Sequence, residues 1–281
     1  MKSCLKALML ASATWLGCTE MGELSANTAP QEGLSREEQQ VVGGTASMPF
    51  TNPWHVRIQR EGEEAVCNGA LISLGWVVTT ARCVEGADPS LLRITVGTIY
   101  RNSSRDGVTA QTFTPRQVFI HPSYTHDLAD LSGLIDYDIA LIELPTPVVP
   151  NTVASPIALS HTDPAAGRTC DLSGFGMTGE EGSLQTVLRH AYLNVLPRRA
   201  CKAAYGNGAI THRQMCAGVE EGGRGGCQGD SGAPMVSGGY PPKLVGLYSY
   251  SRGCAQQGVP DVMTNIFAFA DWIDSVTGLP L

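Results

Sequence analysis

The alternation of apolar and polar residues changes abruptly at Val41. From Thr19 to Gln40 the chain is polar and has too few bulky apolar side chains to form a core. Beyond it, every second residue from Trp54 to Ile58 is apolar, which is the pattern of a strand with one buried face. The polar residues between them, His55 and Arg57, are therefore expected on the exposed face. The folded domain is predicted to begin at Val41.

Further strand-like runs follow, separated by turn-forming Gly, Pro, Asn and Asp residues. They read GALISLGWVVTT, RITVGTIY, RQVFI, DIALIEL, AYLNVLP and KLVGLYSYS. Only the end of the chain has helical spacing, where Ile266, Ala270 and Ile273 share one face and Asp271 and Asp274 lie off it. The pattern predicts an all-β fold with a C-terminal helix.

Composition and charge narrow the class of protein. The chain has 281 residues, of which 43% are hydrophobic and 16% charged, enough for one large domain or two small sub-domains. The 32 glycines and 17 prolines favour short strands joined by turns. A formal net charge of −7 offers no basic surface, so nucleic acid is not an expected partner.

The N-terminus has the pattern of an export signal over residues 1–17. Two early lysines precede an apolar run that is too short to span a bilayer. The run ends in Leu-Gly-Cys18, similar to a bacterial lipobox, in which the cysteine is lipidated after cleavage. The alternative is an ordinary secretory signal that leaves Cys18 as a thiol. We expect a flexible leader or propeptide over 18–40, and either a secreted, extracellular protein or a bacterial cell-envelope lipoprotein tethered to the membrane through Cys18.

Three motifs occur in a characteristic order: VVGG at Val41, DIALIEL at Asp138, and GGCQGDSGAP from Gly225 to Pro234. Together with the cysteine spacing, they make residues 41–281 resemble a chymotrypsin/trypsin-like serine protease domain. The resemblance implies two six-stranded antiparallel β-barrels with the active site in the cleft between them.

The resemblance also implies where these parts lie in the chain. The barrels are expected at about 41–150 and 151–265, and the C-terminal helix at 266–276. The family uses no cofactor or metal for its reaction, and none is expected here. The expected ligand is a peptide or a protein.

The resemblance assigns the nucleophile to Ser231, the acid that orients the base to Asp138, and the oxyanion hole to the N–H groups of Gly229 and Ser231. The segment VTTARC, which in the family carries the catalytic histidine, has Arg82 in its place. A guanidinium stays protonated and cannot act as a general base. An ion pair between Arg82 and Asp138 is expected, in which case Asp138 is only a buried acid with a cationic partner.

Three functional readings follow from Arg82. The first is a pseudoprotease, a binding protein without turnover. The second is a serine endopeptidase with weak or unconventional activity. The third is an active enzyme that carries an inactivating substitution, since histidine and arginine codons can differ by one base. None of the chain's six histidines occupies a motif position facing Ser231, although His126 lies on a neighbouring loop.

The specificity pocket departs from the trypsin pattern. Gly225 stands where trypsin-like enzymes have an acidic pocket floor, and Asp261 stands where the family usually has glycine. The Asp261 carboxylate is expected to enter the pocket and favour Lys, Arg or a mixed set; alternatively it caps a turn or closes the pocket. Ser249, Tyr250 and Ser251 match the strand that pairs with the substrate backbone, and Ser251 replaces a usual glycine.

Activation in the family frees an N-terminus that pairs with the aspartate before the nucleophile. Val41 and Asp230 match these two roles. Gln40 precedes the cut, so self-cleavage after Lys or Arg does not fit. A different protease must cut after Gln40, or nothing does.

The chain has nine cysteines, which in an exported protein indicate disulfides. Cys170 would normally pair with a cysteine at the position of Ser237, and is left over unless an unlipidated Cys18 pairs with it. By the family's pattern the disulfides are Cys67–Cys83, Cys201–Cys216 and Cys227–Cys254.

Overall fold

The computed structural model describes residues 42–63, 66–126 and 135–279. The predicted export signal and leader, with Cys18, Gln40 and Val41, lie outside the described residues. None of the described helices is long and apolar enough to cross a membrane.

The described residues are mostly β-structure. Their strands, in chain order, are β1 (Thr45–Ala46), β2 (His55–Arg60), β3 (Val66–Ser73), β4 (Trp76–Thr79), β5 (Leu92–Val96), β6 (Gln111–Phe113), β7 (Gln117–Ile120), β8 (Thr125–His126), β9 (Ile135–Asp136), β10 (Ala140–Glu143), β11 (Ala158–Leu159), β12 (Thr169–Gly174), β13 (Arg189–Val195), β14 (Gln214–Gly218), β15 (Pro234–Ser237), β16 (Lys243–Tyr250) and β17 (Asp261–Asn265). The α-helices are α1 (Arg198–Tyr205) and α2 (Ala270–Thr277), and 3₁₀ turns occupy Ala81–Cys83, Pro89–Leu91, Ser103–Arg105 and Ile266–Phe269.

Two sheets form the body of the protein, and they are antiparallel except that β11 pairs in parallel with β16 of the second sheet. The N-terminal sheet has the order β6-β5-β2-β3-β4-β10-β7. The C-terminal sheet has the order β1-β13-β12-β15-β16-β17-β14, and a further pairing of β13 with β14 closes β12 to β17 into a six-stranded barrel. The chymotrypsin-like fold is confirmed. It differs from expectation in the first sheet, where β6 and β7 do not pair within the described residues.

A shared apolar layer joins the two sheets to the C-terminal helix. Leu141 of β10, with Ile139 just before that strand, packs in one cluster with Leu244 of β16. Ile266 and Ile273 of the C-terminal helical segment complete this cluster. All five side chains are fully buried. This layer fixes one sheet against the other, and therefore fixes the cleft that lies between them.

Strand β2 is buried on both faces, although its alternating sequence predicted one exposed face. His55 and Arg57 are only 3% and 2% exposed. The Arg57 guanidinium is tolerated inside because Asp106 accepts two bonds from it, at 2.7 and 2.9 Å, and the carbonyl of Tyr100 accepts a third. The loop that carries Asp106 thus covers the polar face of β2 and supplies the carboxylate that pairs with Arg57.

The helical prediction is correct at the C-terminus and incomplete elsewhere. Ile266 and Ile273 are buried while Asp271 and Asp274 are exposed, although the first turn is 3₁₀. Helix α1 was not predicted, because its sequence RRACKAAY has only a narrow apolar stripe, in which Cys201 and Tyr205 are buried.

The three predicted disulfides are confirmed. Cys170 is a buried free cysteine, and it lies directly opposite Ser237 in the register of β12 and β15. Burial raises the pKa of its thiol to about 11. The bonded pairs are Cys67–Cys83, Cys201–Cys216 and Cys227–Cys254.

Candidate active-site cleft

Arg82 occupies the middle of the 3₁₀ turn that follows β4. The disulfide of Cys83 ties this turn to Cys67 on β3, and the Thr80 hydroxyl lies 3.2 Å from the Cys83 sulfur. The turn therefore has a fixed backbone position at the edge of the first sheet, facing the second.

Asp138 lies beside this turn, two residues before β10 begins at Ala140. It is 4% exposed, and its carboxylate accepts the main-chain N–H of Arg82 at 3.0 Å and the hydroxyl of Ser249 at 2.6 Å. Thr264 donates to its carbonyl at 2.7 Å. Burial raises the pKa of Asp138, and the bonds from Ser249 and Arg82 oppose that rise. Both sheets thus hold this carboxylate in one orientation.

The expected ion pair between Arg82 and Asp138 is not formed. The Arg82 guanidinium donates instead to the main-chain oxygen of Ser249, from Nη1 at 2.7 Å. Both carboxylate oxygens of Asp138 already have donors, so the guanidinium turns to the open carbonyl across the cleft. Its other N–H groups have no acceptor among the described residues.

Ser231 lies on a loop whose backbone depends on glycine. Gly229 has φ +92°, and a Cβ there would lie 2.3 Å from the side chain of Leu184. Gly232 has φ +78°, and its Cβ would lie 2.1 Å from the Asn68 carbonyl. The N–H groups of Gly229 and Ser231 have no acceptor in the described part of the chain, and neither does the Ser231 hydroxyl.

A buried histidine and amide support this loop from behind, and sequence reasoning missed them. Asn68 Nδ2 donates to the carbonyls of Gly229 and Ser231 at 2.8 and 3.3 Å, and its main-chain N–H donates to Ser231 at 2.8 Å. His55 Nε2 lies 3.1 Å from Asn68 Oδ1, and its Nδ1 lies 3.1 Å from Ser173 Oγ. Burial lowers the pKa of His55 to about 3, so it is neutral. A histidine at the start of the otherwise apolar-alternating strand β2 was the available signal.

Asp230 is fully buried between Ser231 and the body of the second sheet. Its carboxylate accepts the N–H groups of Gly176 at 2.7 Å and Cys227 at 3.0 Å. Burial raises its pKa from 3.8 to about 7, against the effect of those two bonds. Its predicted partner, the amine of Val41, lies outside the described residues.

The cleft in front of Ser231 is a cavity of about 240 Å³. Ser249, Tyr250 and Ser251 line it, as the resemblance implied, and so do Arg82 and Tyr248. Tyr248 was not among the predicted pocket residues. Its ring stands over Gly226, where a Cβ would lie 2.3 Å away, and its hydroxyl lies 2.9 Å from Ser251 Oγ.

The Asp261 carboxylate, expected to enter the specificity pocket or else to cap a turn or close the pocket, does not line the cleft. Asp261 is 2% exposed and is not part of the cleft lining. Oδ2 accepts the Gly226 N–H at 2.6 Å, and it would lie 2.8 Å from a Cβ at Gly225. Oδ1 has no partner. Burial raises the pKa of Asp261 well above its ordinary value, against the effect of the bond from Gly226.

The comparison with known proteins agrees with this fold and with this arrangement of motifs. The family model called Trypsin matches residues 41–273. The chain belongs to the trypsin family. Trypsin 5G1 of Aedes aegypti is 32% identical over 283 residues, which cover 98% of this chain and 99% of the relative. Serine protease 56 of Homo sapiens is 33% identical over 258 residues, covering 90% of this chain and 40% of that longer protein.

In this trypsin domain, no histidine hydrogen-bonds with Ser231 or Asp138 within the described ranges. His126 lies 3.4 Å from Glu85, and His190 lies 3.0 Å from Asp171. His55 is interior, His121 stacks on Tyr137, and His161 and His212 are exposed. No group of three histidine, cysteine or acidic side chains in the described residues is arranged to hold a metal ion.

Proposed function

We propose that this trypsin-family protein is a pseudoprotease, which binds a peptide or protein ligand in its cleft with little or no turnover. The supporting observation is the position of Arg82. Its main-chain N–H binds Asp138, while its guanidinium shares the cleft with Ser231 and binds the carbonyl of Ser249. These contacts support the proposal that Arg82 stands where the family has its general base.

The chemistry of Arg82 is incompatible with that role. A serine hydroxyl attacks a carbonyl only when a base accepts its proton. A guanidinium stays protonated at neutral pH, so it has no free site for that proton. In subtilisin, loss of the triad histidine costs a factor of about 10⁶ in turnover. We infer that Ser231 is an ordinary hydroxyl in this cleft.

The other parts of the catalytic machinery have proposed roles that do not depend on a base. We assign the oxyanion site to the N–H groups of Gly229 and Ser231, and the docking edge for the ligand backbone to Ser249 and its neighbours in β16. Asp138 keeps the Arg82 turn and Ser249 together. Asp230 is the proposed partner of a freed Val41 amine.

The second candidate is an endopeptidase with residual activity. The protease names of both relatives and the bond between Asp138 and Ser249 favour it. A preference for Lys or Arg through Asp261 would require Tyr248 to move, because the carboxylate is buried beneath that ring.

The deciding experiment compares the native protein with Arg82→His, each with and without Ser231→Ala, on ester and peptide substrates. We expect the native protein to match its Ser231→Ala form. We expect Arg82→His to raise turnover by several orders of magnitude, and Ser231→Ala to abolish that gain. Native turnover that disappears with Ser231→Ala would show that the chain is an enzyme. An inactive Arg82→His would show that Arg82 is not the sole cause of inactivity.

We also propose that the protein is exported. Three disulfides fit an oxidising compartment. A lipid on Cys18 and a cut between Gln40 and Val41 by another protease remain predictions. The mass and N-terminal sequence of the mature protein test both. A mature chain that never begins at Val41 would exclude the cut.

A further inference from the structure

The cleft contains hydrogen-bond donors without acceptors. Arg82 commits Nη1 to Ser249, while its other N–H groups have no acceptor in the described part of the chain. The N–H groups of Gly229 and Ser231 are equally uncommitted. The nearest acid, Asp138, has both oxygens occupied by other donors. Arg82 and Ser231 both line the cavity, and Gly229 belongs to the same loop as Ser231. A cation and an uncommitted main-chain donor thus lie at one cavity, which suits an anion.

The guanidinium favours an anion that has at least two oxygens. Arg82 Nη1 is committed to Ser249, so the remaining N–H groups of Arg82 can donate to one oxygen while the other oxygen accepts from the loop of Gly229 and Ser231. An uncharged internal peptide bond offers one carbonyl oxygen and no charge. Its N–H would also compete with Arg82 for the Ser249 carbonyl, the acceptor that Arg82 already uses.

Tyr248 limits what else can enter. The Tyr248 ring packs on Gly226, and the Tyr248 hydroxyl hydrogen-bonds with the hydroxyl of Ser251. The Ser251 hydroxyl in turn donates to the Gly253 carbonyl, so the bridge is continued to the next loop. A Cβ at Gly226 would lie only 2.3 Å from the Tyr248 ring, which leaves no space for a long side chain between them.

We propose that the cleft binds the free C-terminal carboxylate of a peptide whose last residue has a small side chain, such as Gly, Ala or Ser. Arg82, Gly229 and Ser231 hold the carboxylate, and Tyr248 sets the size of the last side chain. The inference rests on the proposed function, because it takes the cleft as a binding site that leaves its ligand intact. Its ligands would be peptide ends that another protease has released.

Fluorescence anisotropy tests the carboxylate with the full chain and an N-terminally labelled peptide ending in Ala. The probes are the free acid and the otherwise identical C-terminal amide. We expect the acid to bind about tenfold tighter or more, as for a hydrogen bond to a charged group. Arg82→Gln should remove that difference and Arg82→Lys should keep part of it. The matched control is Arg168→Gln, since Arg168 also donates to a carbonyl, that of Gly238, but outside the cleft.

A second series of probes tests the size limit. Free-acid peptides ending in Ala, Leu and Lys are compared on the native protein and on Tyr248→Val. We expect Ala to bind best natively, and Tyr248→Val to improve binding of the longer residues. Lys binding best to the native protein would overturn the size limit and would make Asp261 the acceptor.

The outcomes distinguish a failure of this inference from a failure of the proposed function. Equal binding of acid and amide, or no binding of either at millimolar concentration, overturns the inference. A difference that survives in Arg82→Gln, with near-ultraviolet circular dichroism showing that this variant is folded, overturns it too. Hydrolysis of the amide probe that stops with Ser231→Ala overturns the proposed function instead.

Discussion

Replacing Asp230 with asparagine in the uncut chain should change how folding stability depends on pH. The Asp230 carboxyl is fully buried, and burial raises its pKa from 3.8 to about 7. An acid with a raised folded-state pKa contributes stability that is fully present below its unfolded pKa. That contribution is lost as pH rises towards the folded pKa, because the unfolded chain releases its proton first.

The size of the effect follows from the two pKa values. The difference between 3.8 and about 7, at about 1.4 kcal/mol per pH unit, corresponds to about 4 kcal/mol of stability lost across that window. Asparagine does not titrate, so the variant avoids this loss. Its amide nitrogen cannot accept one of the two N–H bonds from Gly176 and Cys227, which costs about 1 kcal/mol at every pH.

Urea unfolding of both proteins at a series of pH values measures this difference. We expect Asp230→Asn to be less stable than the native protein near pH 4 and more stable near pH 8, so that the two curves cross. Asp274→Asn, at an exposed position on α2, is the control and should leave the pH dependence unchanged. Parallel curves for Asp230→Asn would refute the argument, since they would mean that Asp230 titrates alike in the folded and unfolded chain.

Two further predictions concern other buried groups. Arg57→Met should lower the free energy of unfolding by about 3 kcal/mol, because it leaves the Asp106 carboxylate without its partner, while the surface variant Arg60→Met should cost less than about 1 kcal/mol. Equal losses in urea unfolding would contradict the buried pair. Cys170 should react with a thiol reagent at pH 8 only as fast as the chain opens, which peptide mass spectrometry detects; rapid labelling of the native protein would contradict its burial.

The sequence motifs predicted the fold and the position of Arg82 beside Asp138, because each motif requires a particular backbone conformation. The glycines around Ser231 are needed for positive φ, and the cysteines for bridges of fixed length. Such requirements are local, so short stretches of sequence carry them. The same holds for the C-terminal helix, where Ile273 and Asp274 lie on the faces that their spacing predicted.

Side-chain directions in the cleft could not be predicted in this way. Arg82 was expected to pair with Asp138, but Ser249 contributes both the hydroxyl that occupies the acid and the carbonyl that binds the guanidinium. Asp261 was expected to enter the pocket, to cap a turn or to close the pocket, and the structure has it buried on the N–H of Gly226, against which the Tyr248 ring packs. Each outcome depends on a contact between residues far apart in the chain, which periodicity does not encode.

Asp138 is bound by the main-chain N–H of Arg82 and not by its side chain. Any residue except proline provides that N–H, and the Cys67–Cys83 bridge holds the turn whatever side chain it carries. The identity of residue 82 is therefore nearly independent of folding. On the proposed function, a lineage can exchange cleavage for capture, or reverse the exchange, by one substitution and without compensating changes elsewhere. On this proposal, a substitution at position 82 changes the chemistry of the cleft and leaves folding nearly unchanged.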